Sequence, residues 1–130
     1  MNKLKAREYL KPLRHPYLSV RIAAAKLAGI DSTKAPEEVP ILAWTIYQEW
    51  SILNAIEIGL LPDGDETESQ LMLAELCRAM VRIIRFGYDI SPVLCVIDLL
   101  LQAENQSVKN SGDWVLKNLY QAMKPKEKAA

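Results

Sequence analysis

Apolar residues recur along this chain at the three-and-four spacing of an amphipathic helix, and no stretch keeps the period-two alternation of a half-buried strand. That pattern, punctuated by proline and glycine, restricts the chain to an all-α fold. Leu, Ile and Ala dominate, with only five glycines and one phenylalanine, which also favours helix over sheet. Residues 93 to 101 have a strand-like composition, but their proline start and their length favour a helix. At 130 residues the chain is long enough for one domain and too short for two. Half of it is apolar, enough for a core without staples.

The breaks divide the chain into about six or seven helices. The first is expected from Asn2 to Leu13, with Pro12 as a kink or an early end, and His15-Pro16 closes it. A second runs from Tyr17 to Ala28, with Gly29 in the left-handed position that ends many helices. A third spans Pro36 to Gln48, or starts at Pro40, and a fourth spans Trp50 to Ile58, closed by Gly59. Pro62-Asp63-Gly64-Asp65 is a loop. A fifth helix, Thr67 to Gly87, has the widest apolar face and should be central. Ser91 is the expected N-cap of a sixth that reaches Gln102. A seventh runs from Ser107 to Met123. The domain is expected to occupy residues 1–123, with 124–130 as a solvated tail.

Two segments align on a shared pattern. Ser19-Val20-Arg21 is followed by Ala23-Ala24 and Leu27-Ala28; Ser107-Val108-Lys109 is followed by Ser111-Gly112 and Val115-Leu116. A leucine stands seven residues before each valine, Leu13 and Leu101. Small residues admit a close partner helix, and the apolar pair one turn later closes the same face. A weaker third copy is Ser51-Ile52-Leu53-Asn54-Ala55, with Gly59 following. These segments resemble HEAT repeats and, more loosely, armadillo repeats. The spacings of 32 and 56 residues between copies depart from the usual ~40–47. The resemblance implies a stack of helix pairs with a binding surface and no chemistry. It also gives Val20, Ala24, Leu27, Val108, Val115 and Leu116 as core residues.

Residues 58–91 carry a second resemblance, to the winged-helix domain of MerR-type regulators and their chaperone-modulator relatives. It rests on Ile58-Gly59-Leu60-Leu61-Pro62, Thr67-Glu68-Ser69 and the run from Arg82 to Ser91. In that family the preceding recognition helix is basic and aromatic. The matching stretch here, Ser51 to Ala55, lies in a segment without Lys or Arg, and a DNA-facing helix needs cations. The resemblance therefore implies a nucleic-acid-associated regulator that has lost this contact.

The formal net charge is zero, yet the charge is segregated. Residues 1–34 hold eight Lys/Arg and two acids, residues 35–77 hold nine acids and no base, and residues 78–130 hold eight bases and five acids. Such a pattern steers a partner of complementary charge. The acidic segment also contains Trp44, Tyr47 and Trp50, and aromatic side chains dominate interface hot spots. Trp44, Tyr47, Glu49, Trp50 and Glu57 are therefore the candidate partner-binding residues, for a protein with a basic surface. The last helix carries Leu116, Leu119, Tyr120 and Met123 as a stripe, so a homodimer through that or the opposite end is expected.

No catalytic constellation is legible. His15 is the only histidine and stands in a turn before proline, where a surface residue is expected. Cys77 and Cys95 lie in apolar runs and read as buried reduced thiols, although spacing alone leaves their pairing open. Trp114 is expected to face the core or the end of the stack. Asp63, Asp65, Glu66 and Glu68 lack calcium-loop spacing and read as a solvated loop, and no nucleotide or nucleophile-elbow motif occurs. The expectation is a non-enzymatic, cofactor-free and metal-free protein-interaction module in the cytoplasm. No secretory signal or membrane-spanning run is apparent, and nucleic acid is not the expected partner.

Overall fold

The computed structural model describes residues 5–61 and 66–123, and everything below concerns these residues. They form an all-α stack of six α-helices without a strand: α1 Ala6–Tyr9, α2 Leu18–Leu27, α3 Ala35–Glu57, α4 Glu66–Arg85, α5 Leu94–Leu101 and α6 Gln106–Met123. Two 3-10 turns, Lys11–Arg14 and Ser91–Val93, precede α2 and α5. The loop 62–65 and the tail 124–130 lie outside the described residues, as does the start of the first expected helix.

The central helix is α4, which packs against α2, α3 and α6. Its buried side chains include Met72, Leu73, Leu76, Cys77, Met80 and Ile83. Leu71, on the same helix, is exposed. Two helices, α2 and α6, each meet a neighbour through small residues. Ala24, Ala25 and Ala28 are buried, and Gly29 lies so near α4 that a Cβ there would sit 2.8 Å from the Ala79 carbonyl oxygen. Gly112 brings α6 against α5, where an added Cβ would meet the Leu100 Cβ at 3.0 Å. The small residue four positions after the valine is thus buried in both matching segments.

Several expectations need correction. The third and fourth helices are one, because nothing between Gln48 and Trp50 breaks the backbone, and the buried face runs on through Leu42, Ile46, Glu49 and Leu53. Pro40 is tolerated in the second turn of α3, where it is exposed. The first helix ends early near Pro12, one of the two outcomes expected there. The chain after Tyr9 tightens into the 3-10 turn, with the Leu13 N–H donating to the Leu10 carbonyl at 3.0 Å. Leu27 is exposed and Val20 half-buried, because α2 turns its alanines and not its larger side chains toward α4. Val108 and Val115 are core, whereas Leu116 is half-buried. Trp114 is 40% exposed. Ser91 is not an N-cap but the first residue of the turn before α5, which follows Ile90; its hydroxyl and N–H donate to the Asp89 carboxylate and hold it below the usual carboxylate range.

Both cysteines are free thiols. Cys77 is buried, and burial pushes its thiol up to about 12. Cys95 is exposed, contrary to expectation, with its Sγ 3.7 Å from the Pro92 carbonyl oxygen. No helix among the described residues is long and apolar enough to cross a membrane.

Candidate functional site

A groove runs between the N-terminal segment and α3. It has two adjoining sections of about 840 and 760 Å³, joined at Leu13, Arg14, His15, Trp44 and Thr45. Local chemistry explains why it exists. Pro12 prevents a long first helix, so the short α1 packs on α3 and the 3-10 turn after it packs on α2, anchored by buried Ala6, Leu10 and Leu13. Tyr9 donates its phenolic hydrogen to Glu38 Oε2 at 2.5 Å. Glu38, fully buried, also accepts the Gly29 N–H at 3.1 Å through Oε1. Burial and then this carboxylate push the Tyr9 phenol well above its ordinary value, so it stays a neutral donor. On the far side of Gly29, Arg82 donates to the Ala25 and Ala28 carbonyls at 2.8–3.1 Å, closing the C-terminal end of α2. One carboxylate and one guanidinium thereby tie α1, α2, α3 and α4 together.

The α3 wall of the groove is aromatic. The Trp44 and Tyr47 rings stack with centroids 5.9 Å apart and planes 22° from parallel; Tyr47 and Trp50 follow at 5.9 Å and 37°. Trp44 is 51% and Tyr47 43% exposed. Trp50 is half-buried against the core and does not line the groove. The opposite wall carries Arg7, Lys11 and Arg14, all exposed, and the acid Glu8. Among the described residues none of the three cations is in an ion pair. His15 sits where the sections join: its Nδ1 accepts the Tyr17 N–H at 3.1 Å, and its ring lies 5.3 Å from that of Tyr17.

Deeper in the second section lies a charged cluster. Arg21 donates through Nη1 to the His15 and Pro16 carbonyls, both at 2.9 Å, and its Nη2 is 3.3 Å from Glu68 Oε2. It thus bonds carbonyls at the turn before its own helix. Glu49 is buried, hydrogen-bonded to Ser69 and close to Arg21. Burial outweighs both partners and raises its carboxyl above the ordinary value. A carboxyl raised in the folded state favours the protonated form on folding, so the stability tied to it is present at low pH and lost as pH rises through the raised value. Glu49→Gln is therefore expected to flatten the fall in stability just above the ordinary carboxylate range. Denaturation midpoints from about pH 4 to 7 check this, and a profile unchanged by the substitution would contradict it.

Of the five candidate residues, Trp44, Tyr47 and Glu49 share the groove, Trp50 ends the aromatic ladder, and Glu57 lies elsewhere. It is 13 residues beyond Trp44 on α3, about 20 Å along the axis. Glu57 accepts the Asn105 N–H, and burial, Glu104 and Glu66 raise its carboxyl. The aromatic residues of the acidic segment thus face the basic N-terminal segment, while part of its acid charge collects at the other end of α3. Sequence reasoning missed Arg7, Lys11 and Arg14 as a wall of the site, and Glu38 and Arg82 as its internal ties. Arg82 had a signal: it interrupts the apolar run Met80-Val81-Ile83-Ile84. No group of three or more His, Cys, Asp or Glu among the described residues is placed to hold a metal ion. No protein-family model, curated protein or solved structure matches the chain.

Proposed function

We propose that this chain is a non-enzymatic protein-interaction module whose docking site is the groove between the N-terminal segment and α3. One observation carries the reading: two large aromatic side chains, Trp44 and Tyr47, stand stacked and about half exposed on the wall of an apolar groove. Held rings lose little freedom on binding, and such residues supply most of the affinity at interfaces. The HEAT-like pattern of the sequence supports the same reading, since such stacks act through surfaces. The groove's cations favour a partner segment that is acidic and apolar, rather than the basic surface that the segment charge suggests. The two free thiols favour a reducing compartment, the cytoplasm.

A photo-crosslinking phenylalanine analogue at Tyr47, activated in the native cell, tests this. The expected result is a covalent adduct with a polypeptide, lost when Trp44→Ala is added. Trp44→Ala alone should change stability by less than about 1 kcal/mol, as befits an exposed ring. Absence of any polypeptide adduct would remove the reading. The exposed Trp44 ring facing Arg7, Lys11 and Arg14, with Tyr47 stacked on it, also favours a second reading, a platform for single-stranded nucleic acid. That reading requires oligonucleotide binding that weakens steeply between about 50 and 200 mM salt and fails in Trp44→Ala.

A further inference from the structure

The far end of α3 carries exposed apolar side chains beside acids. The helix ends in a left-handed glycine turn: Gly59, at φ +84°, donates to the Ile56 carbonyl at 3.1 Å, and Leu60 donates to the Ala55 carbonyl at 2.8 Å. This turn projects Ile58, Leu60 and Leu61, which are 62%, 72% and 44% exposed. Around it stand Glu57, Glu66 and Glu104, near enough for the latter two to act on the carboxyl of the first, and none is in an ion pair among the described residues. Three exposed apolar side chains in so short a run, following Glu57 and the two acids near it, form a patch built for contact.

The first section of the groove is the complement of this tip: apolar, with Trp44 on its wall and Arg7, Lys11 and Arg14 outnumbering the single acid Glu8 on its rim. The second section of the groove reaches Ile52 and Ile56, but the cationic section around Trp44 lies about 20 Å along α3 from the tip, so the tip cannot enter it within one copy. Resting on the docking role of the groove, we propose that its occupant is the α3 tip of a second copy of this chain. Leu60 and Leu61 enter against Trp44 and Tyr47, while Glu57, Glu66 and Glu104 meet the cations on the rim. Unlike patches pair, so the contact either closes reciprocally into a dimer or continues from copy to copy. It also explains how a chain with net charge zero retains strongly segregated charge: opposite ends steer each other during encounter. The stripe on α6 is the weaker candidate for self-association, because Leu116 and Leu119 already pack on the core and leave Tyr120 and Met123.

Light scattering and sedimentation of the full chain test the pairing. The wild type should exceed 14.7 kDa in a concentration-dependent way at low salt, and return toward that mass as salt rises. A groove variant, Lys11→Glu with Arg14→Glu, and a tip variant, Glu66→Lys with Glu104→Lys, should each weaken self-association at least tenfold. All four side chains are exposed, so helical circular dichroism should be unchanged. Mixing the two variants in equal amounts should restore association, because both groove–tip pairs are then complementary. Leu60→Ser should weaken the wild-type contact without any change of charge. A wild type that stays at 14.7 kDa, variants that associate as the wild type does, or a mixture that fails to recover would overturn the pairing. Association that persists in both variants would assign it to another surface, α6 included. If the Tyr47 probe captures a different protein while the purified chain remains monomeric, the groove reading stands and self-pairing fails. If the probe captures no polypeptide and the purified chain is monomeric, both fail.

Discussion

Replacing Arg82 with methionine is expected to remove about 2–4 kcal/mol of stability, the scale of lost charge-assisted hydrogen bonds together with acceptors left unsatisfied. The same replacement at Arg78, one turn earlier on α4, should remove no more than about 1 kcal/mol. Both residues are cations of one helix, so the contrast isolates their partners. Arg78 is largely exposed and pairs with Glu75 on its own helix. Arg82 reaches across to α2 and donates to the Ala25 and Ala28 carbonyls, in a turn whose next N–H, from Gly29, is held by Glu38. Burial lowers the Arg82 guanidinium from its ordinary value, and Glu75 and Glu38 act against that shift. Lysine at position 82 keeps the charge but not the fork, so Arg82→Lys should fall between the wild type and Arg82→Met. Urea denaturation of the four proteins checks the order. Equal midpoints for the Arg78 and Arg82 methionine variants would show that the end of α2 is not held by this side chain.

The all-α class was legible because a helical period survives any particular packing. The left-handed Gly29 was also legible, since a turn conformation is local and φ is +77° there. What failed was tertiary. The third helix was divided because Glu49 stands where an apolar residue would have continued the stripe of Leu42, Ile46 and Leu53. A carboxylate can occupy that place only with Arg21 from α2 and Ser69 from α4 beside it, and no local pattern announces partners so far apart in sequence. Leu27 misled for a related reason: an alanine face, cheap to bury and closely approached, left the larger residue outside. The candidate site was half legible. The cluster of aromatics on α3 was read correctly as a cluster, whereas its electrostatic setting was not. Charge counted along a segment differs from charge counted over a surface. The basic residues 7–14 line the groove opposite Trp44 of the acidic segment, and Glu38 is fully buried while Glu49 is mostly so beside Arg21.

Gly29 and Gly59 give the second contrast. Both hold a left-handed backbone, φ +77° and +84°, and an alanine at either position meets the same intrinsic penalty of about 1–2 kcal/mol. Around Gly59 nothing lies within 4 Å of the added Cβ, so Gly59→Ala should cost that penalty alone. Around Gly29 the Cβ would meet the Ala79 carbonyl oxygen at 2.8 Å and the Arg82 Cβ at 2.9 Å. Neither is the loose end of a side chain. The turn must lift away from α4, adding about 1–3 kcal/mol of overpacking. Lifting also stretches the bonds from Arg82 to the Ala28 carbonyl and from the Gly29 N–H to Glu38. Gly29→Ala is therefore expected to lose roughly 2–5 kcal/mol, well beyond the loss at Gly59. Hydrogen exchange should locate the extra loss, with amides of α2 and of the middle of α4 losing protection together. Equal destabilisation by the two alanines would mean that the end of α2 does not approach α4 as closely as 2.8 Å requires, and would also undo the account of how the basic wall of the groove is held against α3.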